Sequence, residues 1–191
     1  VDSKLAEAEE ELEKAKKEIE AGKNRLNAEE RTQRQKLEEG ERAINLAKEQ
    51  IVQGEAGINA GLLELNEKKA EIENLLRELN KKEEELKASE SVLLAQGDEL
   101  SQEDRIRLGA IQESLKGLSQ NKLEAEMGLK ALEAKLEELE VQKASLEEKK
   151  EELSLQEKQI VEGKALLESE MNKARAQLTE GEKTLNEKLE E

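Results

Sequence analysis

The side chains able to do acid–base or metal chemistry in this 191-residue chain are carboxylates and amines. Glutamates stand together at Glu9-Glu10-Glu11 and in Glu147-Glu148-Lys149-Lys150-Glu151-Glu152. Neighbouring carboxylates share a proton or hold a cation only where a pocket shifts their pKa values or converges several oxygens on one point. The chain contains no His and no Cys, which removes the imidazole base, the thiolate nucleophile and the usual zinc ligands. EF-hand spacing and the phosphate-cradling Gly-x-x-x-x-Gly-Lys-Ser/Thr pattern are absent too. One acidic group stands out by position: Asp98, Glu99, Glu103 and Asp104 surround Leu100 in the middle of the chain. These five residues are the candidate contact site for a protein partner. A solvated turn is the plainer reading of them, and a bound divalent cation a rival one. No catalytic, cofactor-binding or metal-ligating residue is assigned, and the chain is not expected to be an enzyme.

The elements that would position such a turn follow from composition. Phe, Tyr, Trp and Pro are all missing, so the bulky aromatic side chains of a compact core and the main helix breaker are both lacking. Charged residues make up 42% of the chain. They are interspersed with Leu and Ile at helical spacing, among residues with strong helix propensity. A net charge of −16, with no basic stripe and no aromatic platform, repels phosphate backbones and excludes nucleic acid as the expected partner. The longest aliphatic run, Val92-Leu93-Leu94-Ala95, falls far short of the roughly 20 residues of a membrane span, so this segment is not expected to insert in a bilayer. The chain opens on Val1 and stops at Glu191 inside a continuing helical pattern, and reads as a piece of a larger protein.

An aliphatic residue returns every seventh position at Leu37, Ile44, Ile51, Ile58, Leu65, Ile72, Leu79, Leu86 and Leu93, a coiled-coil seam. Upstream, Leu5, Leu12, Ile19 and Leu26 keep the period, but the step from Leu26 to Leu37 adds four residues to a heptad, a stutter that relaxes supercoiling locally. The second half carries Ile111, Leu118, Ala125, Leu132, Leu139, Leu146, Leu153, Ile160 and Leu167, then steps by four to Met171, Leu178 and Leu185. The two halves mirror one another about a centre near residue 102. Two matched arms folded back on each other explain that symmetry. The fold class is therefore all-α, a long antiparallel two-helix coiled-coil hairpin, with arms at about 2–96 and 102–191 and a turn at 97–101. Gly97 suits the left-handed residue that ends a helix, and Ser101 with Asp104 three residues on resembles a capping box. Arms of this length would make a rod of roughly 130 to 140 Å with both chain ends at one base. The two stutters should lie side by side.

Glycine is the anomaly, with 11 residues, most of them inside predicted helix at about 1 kcal/mol each relative to alanine. Gly40, Gly54 and Gly61 fall three positions after a seam residue, with Ala47 in the intervening place, which points to close approach of two backbones. Bending around Gly54, Gly57 and Gly61, or around Gly109, Gly117 and Gly128, is the competing reading, and inherited repeat sequence with no present role is the third. Met127 and Met171 are expected to fill the core. Same-helix pairs such as Glu10 with Lys14, Glu64 with Lys68, Glu78 with Lys82 and Glu83 with Lys87 each add a few tenths of a kcal/mol on the exposed face.

A short pattern recurs beyond what a coiled coil requires: Glu20-Ala21-Gly22-Lys23 with Leu26, Glu39-Gly40-Glu41 with Ile44, Glu162-Gly163-Lys164 with Leu166, and Glu180-Gly181-Glu182 with Leu185. It resembles the extracellular coiled-coil insertions of FtsX-like (MacB-type) ABC transporter permeases from Gram-positive bacteria. The resemblance implies a non-catalytic stalk on the extracellular face of the plasma membrane, held in cis by a host membrane protein and meeting a protein partner in the cell envelope at its tip. No cofactor is implied. The family's membrane helices and permease core have no counterpart in these residues. Two other settings use comparable helices: a stalk of another membrane protein of the YhgE/Pip kind, and an intracellular scaffold or SMC-like arm. Apolar spans flanking the segment would mark the first two, and nucleotide-binding motifs the last.

Overall fold

The computed structural model describes the backbone of residues 2–190 and the side chains of residues 6–188. The expected seam side chain Leu5 and the expected last arm residue, Glu191, lie outside the described residues. Helix α1 runs from Asp2 to Leu94 (93 residues), a 3-10 turn covers Gly97–Glu99, and helix α2 runs from Gln102 to Glu190 (89 residues). No strand occurs among the described residues. The two long helices pack against each other as a hairpin, the architecture expected from the mirrored seams. No helix among the described residues is long and apolar enough to cross a membrane.

The helices persist because nothing in them stops: proline is absent and strong helix formers fill the exposed positions. They associate because one aliphatic stripe on each would otherwise face water. The buried apolar residues are Ile44, Ile51, Ile58, Leu93, Ile111, Leu118, Ala125, Leu167, Met171 and Leu185. Every one of them sits on a predicted seam. Met127 does not, and here the expectation fails: it is 64% exposed. It stands two residues after the seam position Ala125, which on an α-helix turns it about 200° away from the partner.

Two compact units divide the hairpin, one comprising Val1–Ile51 with Glu148–Glu191 and the other Val52–Glu147. In the first, the position a Cβ would take at Gly22 approaches the Leu178 side chain to 3.2 Å, at Gly40 that of Ile160 to 3.0 Å, at Gly163 that of Leu37 to 3.2 Å, and at Gly181 that of Ile19 to 3.8 Å. In the second, Gly54 meets Leu146 at 3.2 Å, Gly61 meets Leu139 at 3.1 Å and Gly128 meets Ile72 at 3.5 Å. All seven glycines follow a seam residue by three positions, and all seven contacts are symmetric about residue 100. The missing side chain is the hole into which the opposing aliphatic knob inserts. Close seam packing is thus the role of Gly22, Gly40, Gly54, Gly61 and Gly163, two more than the spacing alone picks out, whereas Gly128 and Gly181 stand at ordinary contact distance. Gly57, Gly109 and Gly117 meet nothing within 4 Å.

A second set of contacts fixes the flank of the seam. Within the first unit Lys23 pairs with Glu182, Lys48 with Glu157 at 2.6 Å, and Lys164 with Glu41 at 2.7 Å. Within the second, Lys122 pairs with Glu83 and Lys69 with Glu133 at 3.2 Å. Of the same-helix pairs expected from spacing, Glu64 with Lys68 and Glu83 with Lys87 are seen at 2.5 Å. The cross-helix pairs need the register, which the seams alone leave open by about one turn.

Candidate functional site

The turn is built from backbone outward. The α1 ladder closes with Ala95 N–H donating to the Ser91 carbonyl and Gln96 N–H to that of Leu93, both at 3.1 Å. Regular helix therefore ends at Leu94, two residues before the expected boundary. Gly97 then takes φ +54°, the only positive φ among the described residues. A Cβ there would clash with its own carbonyl in a left-handed conformation, so glycine reverses the chain at least cost. Glu99 N–H reaches back to the Gln96 carbonyl at 3.1 Å and Leu100 N–H to that of Gly97 at 3.4 Å. Ser101 starts α2: its Oγ accepts the Asp104 N–H at 3.1 Å, and its carbonyl accepts the Arg105 N–H at 3.1 Å. The predicted capping box is present with one change. The Asp104 carboxylate accepts the Ser101 hydroxyl proton at 2.6 Å, so donor and acceptor roles interlock through the side chains.

The five predicted contact residues therefore fall into two groups. Asp98, Glu99 and Glu103 are exposed, whereas Leu100 and Asp104 are half-buried and Asp104 is engaged in the cap. Glu103 and Asp104 also occupy the first turn of α2, where carboxylates complement the helix dipole. No group of three or more His, Cys, Asp or Glu close enough to hold a metal ion is found among the described residues. Sequence reading missed the apolar component. Val92, Leu94 and Ile106 flank the turn at 65%, 53% and 69% exposure, the first two within the aliphatic run that is too short to span a membrane.

Outside the turn, the most enclosed charge is Glu30, which is 9% exposed. It lies four residues after Leu26 and seven before Leu37, and so fills the core position that the stutter inserts. Arg34 Nε donates to it at 2.9 Å from the next turn of α1, and Arg175 reaches it from α2, between Met171 and Leu178. The contacts of Gly22 with Leu178 and of Gly40 with Ile160 bracket the two stutters and set them opposite one another, as the mirrored steps predict. A groove beside it is lined by Asn27, Glu30, Arg31, Arg34, Gln35 and Glu38, with no nucleophile or neutral base among them.

Elsewhere electrostatics are those of paired surface ions. The Lys122 ammonium, with Lys87 second, holds the Glu83 carboxyl down at about 2. Lys68 lowers Glu64 and is itself raised by it, while Glu83 raises Lys87. Each shift favours the ionised form that both partners already have at neutral pH, so none creates an acid or base poised for proton transfer. Comparison with protein-family models, curated proteins and solved structures finds no match to this chain.

Proposed function

We propose that this chain is a non-catalytic coiled-coil stalk that works by contact at its turn. On the resemblance of its glycine repeats, we further propose that it belongs to the extracellular region of an FtsX-like ABC transporter permease, where it couples a partner in the cell envelope to the membrane subunit. The observation that carries the contact reading is the make-up of the turn. Three large apolar side chains, Val92, Leu94 and Ile106, stand more than half exposed around the acidic residues Asp98, Glu99 and Glu103. Apolar anchors beside charges of one sign suit a protein surface with an apolar patch and basic rim. Surface ion pairs along the helices contribute little individually and are screened by salt.

The test is made in the full-length protein, in three arms. Residues 94–104 are replaced by a neutral turn, 14 residues are deleted from each helix in register, and exposed Glu and Lys residues are swapped along the shaft; cellular activity is then measured. Loss of activity in the first two with retention in the third supports the reading. Wild-type activity in both turn and deletion variants, with loss in the swaps, places the working surface along the helices and refutes it.

A further inference from the structure

Helix α1 carries a second seam that α2 does not cover. Val52, Ala56, Asn59, Leu63, Asn66 and Ala70 repeat at steps of four and three, and all six are exposed, Val52 at 61% and Leu63 at 64%. At 100° per residue they form one stripe on the side of the helix nearly opposite the packed seam of Ile58, Gly61 and Leu65. The four-three spacing is that of a helix meeting another helix. Solvation alone does not call for it. Between positions 50 and 63 no exposed residue is charged, in a chain that is 42% charged. Asn59 and Asn66 are mediocre helix formers, yet asparagine at a seam position is a device that fixes register between paired helices.

We infer that this stripe is the interface with a second copy of the chain, packed antiparallel about a two-fold axis near residue 61. The charge distribution selects both partner and direction. A copy of a chain with net charge −16 is repelled almost everywhere, and the neutral face is where that repulsion is weakest. A strongly basic helix would find no exposed carboxylate between positions 50 and 63 with which to pair. The stripe's later half is flanked by exposed Glu64, Glu67 and Glu71. Parallel packing sets these against their own copies. Antiparallel packing lays them over the earlier half, whose one carboxylate, Glu55, is half-buried, with Val52 against Ala70, Ala56 against Asn66, and Asn59 against Leu63. Alanine at two of the six positions lets the backbones approach closely. The stripe spans 18 residue steps, about 27 Å, so the contact is small for a specific interface and the dimer dissociates on dilution.

Sedimentation equilibrium of the 191-residue chain between about 10 and 500 µM tests this, that range bracketing a weak specific contact. The mass is expected to rise from 21.5 kDa toward twice that value. Because both side chains are exposed, Val52→Lys with Leu63→Lys should leave helicity and melting of the hairpin unchanged while holding the mass at that of the monomer. A single spin label at Ala60→Cys should report an intermolecular distance below about 25 Å, whereas one at Ser89→Cys should sit roughly 80 Å from its copy by helix rise. A monomer at every concentration, a dimer that survives the double substitution, or short distances at both label sites overturns the inference.

Discussion

Ten of the eleven glycines lie in helix, and the position relative to the seam decides what each one does. At Gly22, Gly40, Gly54, Gly61 and Gly163, each three residues after a seam position, an added Cβ would crowd the facing Leu or Ile at 3.0 to 3.2 Å. At other positions the same residue only loosens the helix. The two classes predict opposite substitution effects. Gly109→Ala and Gly117→Ala, where an added Cβ meets nothing within 4 Å, should each raise stability by up to about 1 kcal/mol. Gly40→Val should lower it by about 1 to 3 kcal/mol, because a Cβ there already sits 3.0 Å from Ile160 Cδ1 and a branched side chain forces the helices apart. Denaturant melts followed by circular dichroism measure both, and equal effects at the two classes would refute the distinction.

Between residue and molecule lies the seam, and its defect is the stutter. A strict heptad would place an aliphatic residue near position 33; the extra four residues instead bring Glu30 into the core and oppose it to Arg175. An enclosed carboxylate costs desolvation that its attraction to a partner seldom exceeds, so the Glu30 contacts are expected to serve register more than stability. Glu30→Leu is therefore expected to leave stability unchanged or raise it by about 1 to 2 kcal/mol, since Arg34 and Arg175 are roughly half exposed and return to water. The matching expectation is a loss of alignment. Disulfide trapping between Cys residues at positions 22 and 178 should be efficient in the parent sequence and shared with neighbouring registers in the Glu30→Leu background. A marked drop in melting temperature with trapping unchanged would show that the pair serves stability instead.

At the scale of the molecule, the division into units sets what folds with what. The Val52–Glu147 unit contains the turn, so its contacts Gly61 with Leu139, Ile72 with Gly128 and Glu83 with Lys122 are closed by a chain already reversed at Gly97. The other unit joins two segments that share no local connection. Residues 52–147 alone should fold as a helical hairpin with a cooperative melt. Peptides 1–51 and 148–191 should be largely unstructured apart and gain helix only on mixing, because an isolated amphipathic helix draws most of its stability from packing. Circular dichroism at 222 nm checks both. A disordered 52–147 fragment would mean that the turn depends on the other unit.

Periodicity was enough to determine the helices, their seams, the facing stutters and the cap at Ser101, because each depends on spacing along one chain or on a local hydrogen bond. Register was not recoverable in this way. The facing stutters exclude sliding one arm by a whole heptad but leave an offset of about one turn, and the knob-and-hole fit of glycines against Leu and Ile and the cross-helix ion pairs tell one alignment from the next. The exposure of Met127, the enclosure of Glu30 and the uncovered stripe from Val52 to Ala70 likewise waited on the tertiary structure. Each is a statement about which face of a helix its partner covers, and that is decided by the packed pair.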